Sequence, residues 1–300
     1  MQALPVSKKN RWPQAVAVFA SDIKLSHSIF ALPFVGVALT ITGIAGVTAF
    51  QWIKILGCMV FARSFAMGMN RYLDRGIDAL NSRTKVRALP SGLVDPRLYL
   101  AITITCGMAF VAMSFGLSKL AGFLSPVLLV VLAFYSIMKK LSWMTHWYLG
   151  ICLGLAPVAA EIALFGRITL PVALVGFAVA AWTAGFDLLY SLQDKEFDKE
   201  QGLHSVPSRL GHKAAIWLSR ASFIVMICAL ILSGELAHVG PIWYVGVMVV
   251  ACILAFEHWT IREAMVTGTS SKINLAFFNL NALVSVMFFL FSALDVYVKS

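Results

Sequence analysis

Nine apolar stretches of roughly 20 residues, separated by short charged or Gly/Pro-bearing segments, decide what this chain can fold into. They run over about 26–47, 51–69, 98–117, 120–138, 147–165, 169–192, 213–233, 241–262 and 273–297. Lipid offers the backbone no hydrogen-bond partners, so stretches of this length must be helices; barrel strands would be shorter and would alternate in polarity. Composition agrees, with 60% of residues hydrophobic, 13% charged and a mean hydropathy of +0.84, too apolar for a soluble core. The expected fold class is all-α: a polytopic membrane helical bundle of about nine transmembrane helices.

Two smaller features fit this frame. Each of the five cysteines sits inside an apolar stretch without a Cys-x-x-Cys pair or a histidine set, as a small hydrophobe would. Near the N-terminus, Pro13 and Gln14 interrupt a short apolar run and the next apolar segment follows at once, so no cleaved signal peptide is expected.

The net charge of +10 raises the question of a nucleic-acid partner. Its placement answers it. With the N-terminus in the cytoplasm, 19 of the 24 Lys and Arg fall on cytoplasmic connections, from Lys8, Lys9, Arg11 and Lys24 through Arg71–Arg97, Lys139–Lys140 and Lys195–Arg220 to Arg262 and Lys272. Four, namely Lys54, Lys119, Arg167 and Lys299, fall outside, and Arg63 lies within a span. The positive-inside rule accounts for this bias. Nine spans then put the C-terminus outside.

Two cytoplasmic connections, about 70–97 and 193–212, are too long and too acidic to be simple turns. They are expected as Asp-rich loops. Asp74-Arg75-Gly76-Ile77-Asp78 and Asp194-Lys195-Glu196-Phe197-Asp198 share one pattern, and Leu89-Pro90-Ser91 is echoed by Val206-Pro207-Ser208, at offsets of 120 and 117 residues. One integral-membrane domain over 1–300, with weak halves of about 1–140 and 141–300, follows. On a helix wheel Arg63, Asn70, Asp74 and Asp78 lie within about 60° of one another, and Asp187, Tyr190, Asp194 and Asp198 fill a similar arc. Charge at membrane depth is costly, so Arg63 and Asp187 should face protein or a wet cavity.

Carboxylates four residues apart suit Mg²⁺, which keeps several waters and is shared with substrate phosphate oxygens. Such a site implies a phosphorylated ligand. Arg83, Lys85, Arg87, Lys139 and Lys140, on the same side, can meet the remaining charge of a diphosphate. Taken singly, each of these residues is equally an interfacial charge, and Lys139 and Lys140 are equally topological. The duplicated pattern, joined to Asn70, Asp187 and Tyr190 on matching faces, favours a site.

The segment MNRYLDRGIDALNSRTKVRALPSG resembles the first signature of the UbiA-type intramembrane prenyltransferases, through Asn70, Asp74, Asp78, Arg83, Thr84 and Arg87. GFDLLYSLQDKEFDKEQGLHSVPSRLG resembles the second, through Asp187, Tyr190, Gln193, Asp194 and Asp198. Weaker likeness runs from Ser26 to Pro33, through Tyr135 with Lys139 and Lys140, over Leu149 to Pro157, and at 276–285. The resemblance implies an Mg²⁺-dependent transferase that moves a polyprenyl group from its diphosphate to an aromatic quinone precursor, in ubiquinone or menaquinone biosynthesis. It further implies an integral protein of a bacterial inner membrane with its site facing the cytoplasm.

By that resemblance Asp74, Asp78, Asp194 and Asp198 are catalytic and, with Asn70, hold the metal. Asn70, Arg83, Arg87, Lys139, Lys140 and Tyr190 bind the diphosphate, and Arg75, Asp187 and Arg63 are candidates for the acceptor. For Arg75, a fork offered to an acceptor carboxylate and an ion pair with Asp78 or Asp74 stand equal. The acceptor stays open between hydroxybenzoate-like and naphthoate-like rings, because Arg71 and Lys140 depart from the hydroxybenzoate pattern.

Glu161, in the fifth span, reads either as a buried polar contact or as a pathway residue. His27, His146 and His258 lie near span ends, where interfacial anchoring is the expected role. A secondary transporter of an anionic substrate is the reading from another class; it predicts charges at mid-membrane rather than at span ends.

Overall fold

The computed structural model describes residues 12–23, 31–267 and 276–299, with only the backbone of 45, 262–267, 276 and 277. Lys8, Lys9, Arg11, Lys24, His27, Lys272 and the side chain of Arg262 lie outside the described residues. Eleven α-helices are present among them: α1 (Trp12–Asp22), α2 (Leu32–Thr42), α3 (Ala49–Leu80), α4 (Pro96–Leu117), α5 (Lys119–Leu141), α6 (Thr145–Phe165), α7 (Leu170–Tyr190), α8 (Lys195–Glu200), α9 (Val206–Ala237), α10 (Pro241–Thr267) and α11 (Asn281–Lys299). Short 3₁₀ turns occupy Ile44–Gly46 and Ser191–Asp194, and a π turn Ala276–Leu280 leads into α11.

Eight of these segments are long and apolar enough to cross a membrane: α3 to α6, α7 continued through α8, α9, α10 and the last. The first expected span is represented by α2, whose 11 residues reach about 16 Å, short of a hydrocarbon core of about 30 Å.

The helix ends explain where the spans begin. Asp95 accepts from the backbone N–H groups of Arg97 and Leu98 ahead of α4, with Pro96 at its start. Ser205 and Ser208 form a reciprocal capping box at α9. Asp295 takes the N–H groups of Gly240, Ile242 and Trp243 at the head of α10. Glu161, fully buried, accepts from the N–H and the hydroxyl of Thr169 at the head of α7. The buried-polar-contact reading of Glu161 is the one the structure bears out. Within α9, Gly211 adopts φ +85°, a left-handed conformation open to glycine, so an opening turn is set off from the main helix. That break lies two residues before the expected span start at 213.

The chain divides into two compact units, Met1–Ser28 with Ile53–Ile137 and Ile29–Trp52 with Met138–Ser300. α2 belongs with the second unit because it packs on α6, α7 and α11. In the first unit, Ala15 and Phe19 of α1, with Ile23 just after it, share a buried cluster with Ala88, Leu89, Val94, Tyr99 and Ile102.

In the second unit α7 is the central element, with 72% of its span buried against 39% or less for the others. Its small residues permit this. A Cβ added to Gly150 of α6 would lie 2.2 Å from the Ala180 carbonyl oxygen, and one on Gly154 would lie 2.3 Å from that of Gly176. The two backbones are therefore in contact along a glycine seam, as small residues allow between membrane helices.

Candidate functional site

The first acidic cluster sits on uninterrupted helix rather than in a loop, because α3 continues to Leu80. Asn70 and Asp74, one turn apart, meet directly: Asn70 Nδ2 donates to Asp74 Oδ2 at 2.9 Å. One turn on, Asp78 is buried, and both of its oxygens lie 2.7 Å from Arg87 Nη1. The chain reverses between them through a turn in which Thr84 Oγ1 donates to the Asp78 carbonyl at 2.9 Å. Gly92, at φ +72°, closes the Leu-Pro-x-Gly segment. Arg87 spends one nitrogen on Asp78, and a guanidinium carries further N–H groups.

Asp22, absent from the sequence reading, braces this region. Its Oδ1 accepts from the N–H of Ala88 at 3.1 Å, next to Arg87, and its Oδ2 accepts from the Tyr99 hydroxyl at 2.8 Å. Arg71 Nε lies 3.8 Å from Asp22 Oδ2. Arg71, beside Asn70, thus has a structural partner. Arg75 is exposed, donates to the Tyr72 carbonyl and stacks 4.4 Å over the Tyr72 ring, one position off the polar stripe. Asp78 pairs with Arg87 instead. Arg63 is half-buried, and its Nε has no hydrogen-bond partner among the described residues.

The second cluster has the same sequence pattern on a different backbone. α7 ends at Tyr190, the 3₁₀ turn carries Gln193 and Asp194, and α8 carries Asp198. The even wheel expected from Asp187 to Asp198 is therefore broken, since a 3₁₀ turn advances about 120° per residue rather than 100°. Asp198 is fully buried, with Lys139 Nζ 2.7 Å from its Oδ1. The Lys139 carbonyl also accepts from the N–H of His204 at 2.8 Å, so the end of α5 is joined to the segment after α8.

Asp187 lies at the end of the seam between α6 and α7. Its Oδ2 is 2.7 Å from Nδ1 of His146, which is buried rather than interfacial as the sequence suggested. The signal was available in outline, because His146, Gly150 and Gly154 are spaced four apart on one helix face. Asp74, Arg83, Lys140, Tyr190 and Asp194 also have interaction partners.

No group of three or more His, Cys, Asp or Glu that would enclose a metal occurs among the described residues. The donor set nonetheless fits a hard cation that keeps waters and shares phosphate oxygens. All the candidates offer oxygen, and both Asp198 Oδ2 and Gln193 Nε2 are buried without a hydrogen-bond partner among the described residues. An orphaned acceptor on α8 and an orphaned donor on the 3₁₀ turn before it suit a ligand bearing a cation and anionic oxygens together.

Comparison with known proteins gives a consistent result. A profile of the UbiA prenyltransferase family matches residues 30–293. The 4-hydroxybenzoate octaprenyltransferase of Aliivibrio fischeri (strain MJ11) is 27% identical over 213 residues, covering 69% of this chain and 72% of that protein. The 4-hydroxybenzoate geranyltransferase 1 of Lithospermum erythrorhizon is 28% identical over 214 residues, covering 70% of this chain and 66% of its own. Among solved structures, the apo UbiA homologue of Aeropyrum pernix K1 superposes with a TM-score of 0.79 at 29% identity, covering 92% of this chain and 98% of that one. A UbiA homologue of Archaeoglobus fulgidus bound to GPP and Mg²⁺ shares the fold, with a TM-score of 0.66 at 14% identity over 93% of this chain and 99% of its own.

Proposed function

Because the chain belongs to the UbiA prenyltransferase family, we propose that it transfers a polyprenyl group from an isoprenoid diphosphate to an aromatic quinone precursor, hydroxybenzoate-like or naphthoate-like. This integral membrane protein works, in this reading, from the cytoplasmic side of a bacterial inner membrane, with its N-terminus inside. The observation that carries it is the buried Asp198 carboxylate, paired at Oδ1 with Lys139 and unpartnered at Oδ2. A fully buried carboxylate in that state awaits a cation.

Asn70, Asp74, Asp78, Asp194 and Asp198 would hold Mg²⁺, which when bound neutralises charge developing on the departing diphosphate. The chain's own cations do the rest. Arg87 has N–H groups beyond the one spent on Asp78, and with Arg83, Lys139, Lys140 and Tyr190 it grips the diphosphate oxygens. The allylic C–O bond breaks with its electron pair leaving on the diphosphate. A ring carbon of the acceptor then bonds to the allylic carbon and the displaced ring proton departs to base. Water has to be kept from the reacting pair, since it would otherwise capture the cation. Asp187 meets a hydroxyl on the ring; Arg63 and Arg75 are the remaining candidates for the acceptor.

The carrier reading finds no support in the family match. Purified protein given polyprenyl diphosphate, Mg²⁺ and a panel of aromatic acids should release diphosphate and form a prenylated ring, and EDTA should stop both. Turnover that survives EDTA and the Asp78→Ala and Asp194→Ala changes would overturn the proposal.

A further inference from the structure

We infer that His146 is a positioning residue for the acceptor, fixing the Asp187 carboxylate and tying it to the start of α9. This rests on the reading of Asp187 as an acceptor contact. His146 is the second residue of α6 and only 2% exposed, whereas the Asp187 side chain retains 19% exposure. One partner is locked and the other is still reachable, as a ligand-contacting group and its support should be.

The hydrogen bonds determine which ring nitrogen carries the proton. The backbone N–H of Val206 lies 3.3 Å from His146 Nε2 and can only donate, so Nε2 accepts. The hydrogen therefore sits on Nδ1 and is donated to Asp187 Oδ2 at 2.7 Å. With both nitrogens engaged, the imidazole is a strut rather than a base. Val206 is itself fully buried at the first turn of α9, where backbone N–H groups lack helical partners, so the ring satisfies a donor that has no other outlet. The glycine seam between α6 and α7 holds the two side chains in register from below, because His146 precedes Gly150 by one turn and Asp187 follows Ala180 by two.

The two jobs of the ring are separable. An asparagine amide nitrogen lies near the place of Nδ1 and can still donate to Asp187, while a glutamine amide oxygen lies near Nε2 and can still accept from Val206. Steady-state kinetics on purified His146→Asn, His146→Gln and Asp187→Asn, varying donor and aromatic acceptor separately, provide the test alongside thermal unfolding of each variant. His146→Gln should lose about 10- to 100-fold in kcat/KM for the acceptor, with donor KM within about twofold and a Tm near the parent's. His146→Asn should keep activity within about fivefold despite a lower Tm, since a loss that followed stability alone would reverse that order. Equal losses in Asn and Gln, losses that track Tm, or no loss in Gln overturn the role of His146. An unchanged acceptor KM in Asp187→Asn instead overturns the reading of Asp187 itself, and so the two failures are told apart.

Discussion

The two acidic clusters share Asp-basic-x-apolar-Asp but differ in how each aspartate is held. In the first, α3 runs straight through, Asn70 bonds Asp74 across one turn, and Asp78 is half of a pair whose cation, Arg87, has N–H groups left over. In the second, a 3₁₀ turn interrupts the helix, Asp198 is fully buried on Lys139, and Asp187 hangs from His146. The repeated sequence pattern therefore carries the same residue types on two different supports. The cation of the first cluster, Arg87, is a fork with several N–H groups, whereas that of the second, Lys139, is a single ammonium already in contact with a fully buried carboxylate.

The largest effect expected is common to both. Asp78→Asn and Asp198→Asn should each lower kcat by about 10²- to 10³-fold, the scale for removing a group that stabilises developing charge, as read by release of diphosphate. If only one of them matters, the clusters are not functionally paired.

The cations should then separate the clusters. Arg87→Lys keeps a nitrogen for Asp78 but has none to spare, so donor KM should rise about tenfold with little change in Tm. Lys139→Met strands a buried carboxylate and should cost about 2 kcal/mol of stability, less than a fully buried pair because Lys139 is about one-third exposed. Donor titration should show a raised KM in both variants, since both cations are proposed to meet the diphosphate, and thermal unfolding measures the contrast: an equal fall in Tm in both would erase it.

Much of this was legible in the sequence. Eight of the nine apolar runs coincide with span-length helices, because a helix in lipid must keep charge at its ends; the first, about 26–47, holds only the shorter α2 among the described residues. Asn70, Asp74 and Asp78 share a face because α3 continues past the apolar stretch, which the wheel anticipated. What was not legible depends on contacts far apart in the chain. Asp22 is 66 residues from the Ala88 N–H that it accepts, and His146 is 41 from Asp187, and neither spacing has a local signature. The 3₁₀ turn at Ser191–Asp194 was hidden because the residues around it are consistent with continuous helix.

Two smaller predictions sharpen the view of what supports the first cluster and what does not support either. Asp22→Asn gives up one of two accepting oxygens and should destabilise by about 1–3 kcal/mol; a loss of activity larger than the loss of folded protein would show that α1 steadies the turn carrying Arg87. Glu161→Gln preserves one acceptor for Thr169 and should leave turnover within about twofold, with a small fall in Tm. A large loss of turnover there would return Glu161 to the pathway.

The glycine seam of α6 and α7 bears on how such an enzyme can diversify. Where backbones touch, a methyl group cannot be added without moving a helix, and these two helices carry His146 and Asp187 at one end. Drift at Gly150, Gly154 or Gly176 is therefore drift in how His146 meets Asp187, though none of the three touches either side chain's partner atoms. The outward-facing flank of α5, where Phe123, Val127 and Val130 are exposed, is free of that constraint. A search for variants accepting new rings would gain more from leaving the seam untouched than from randomising it.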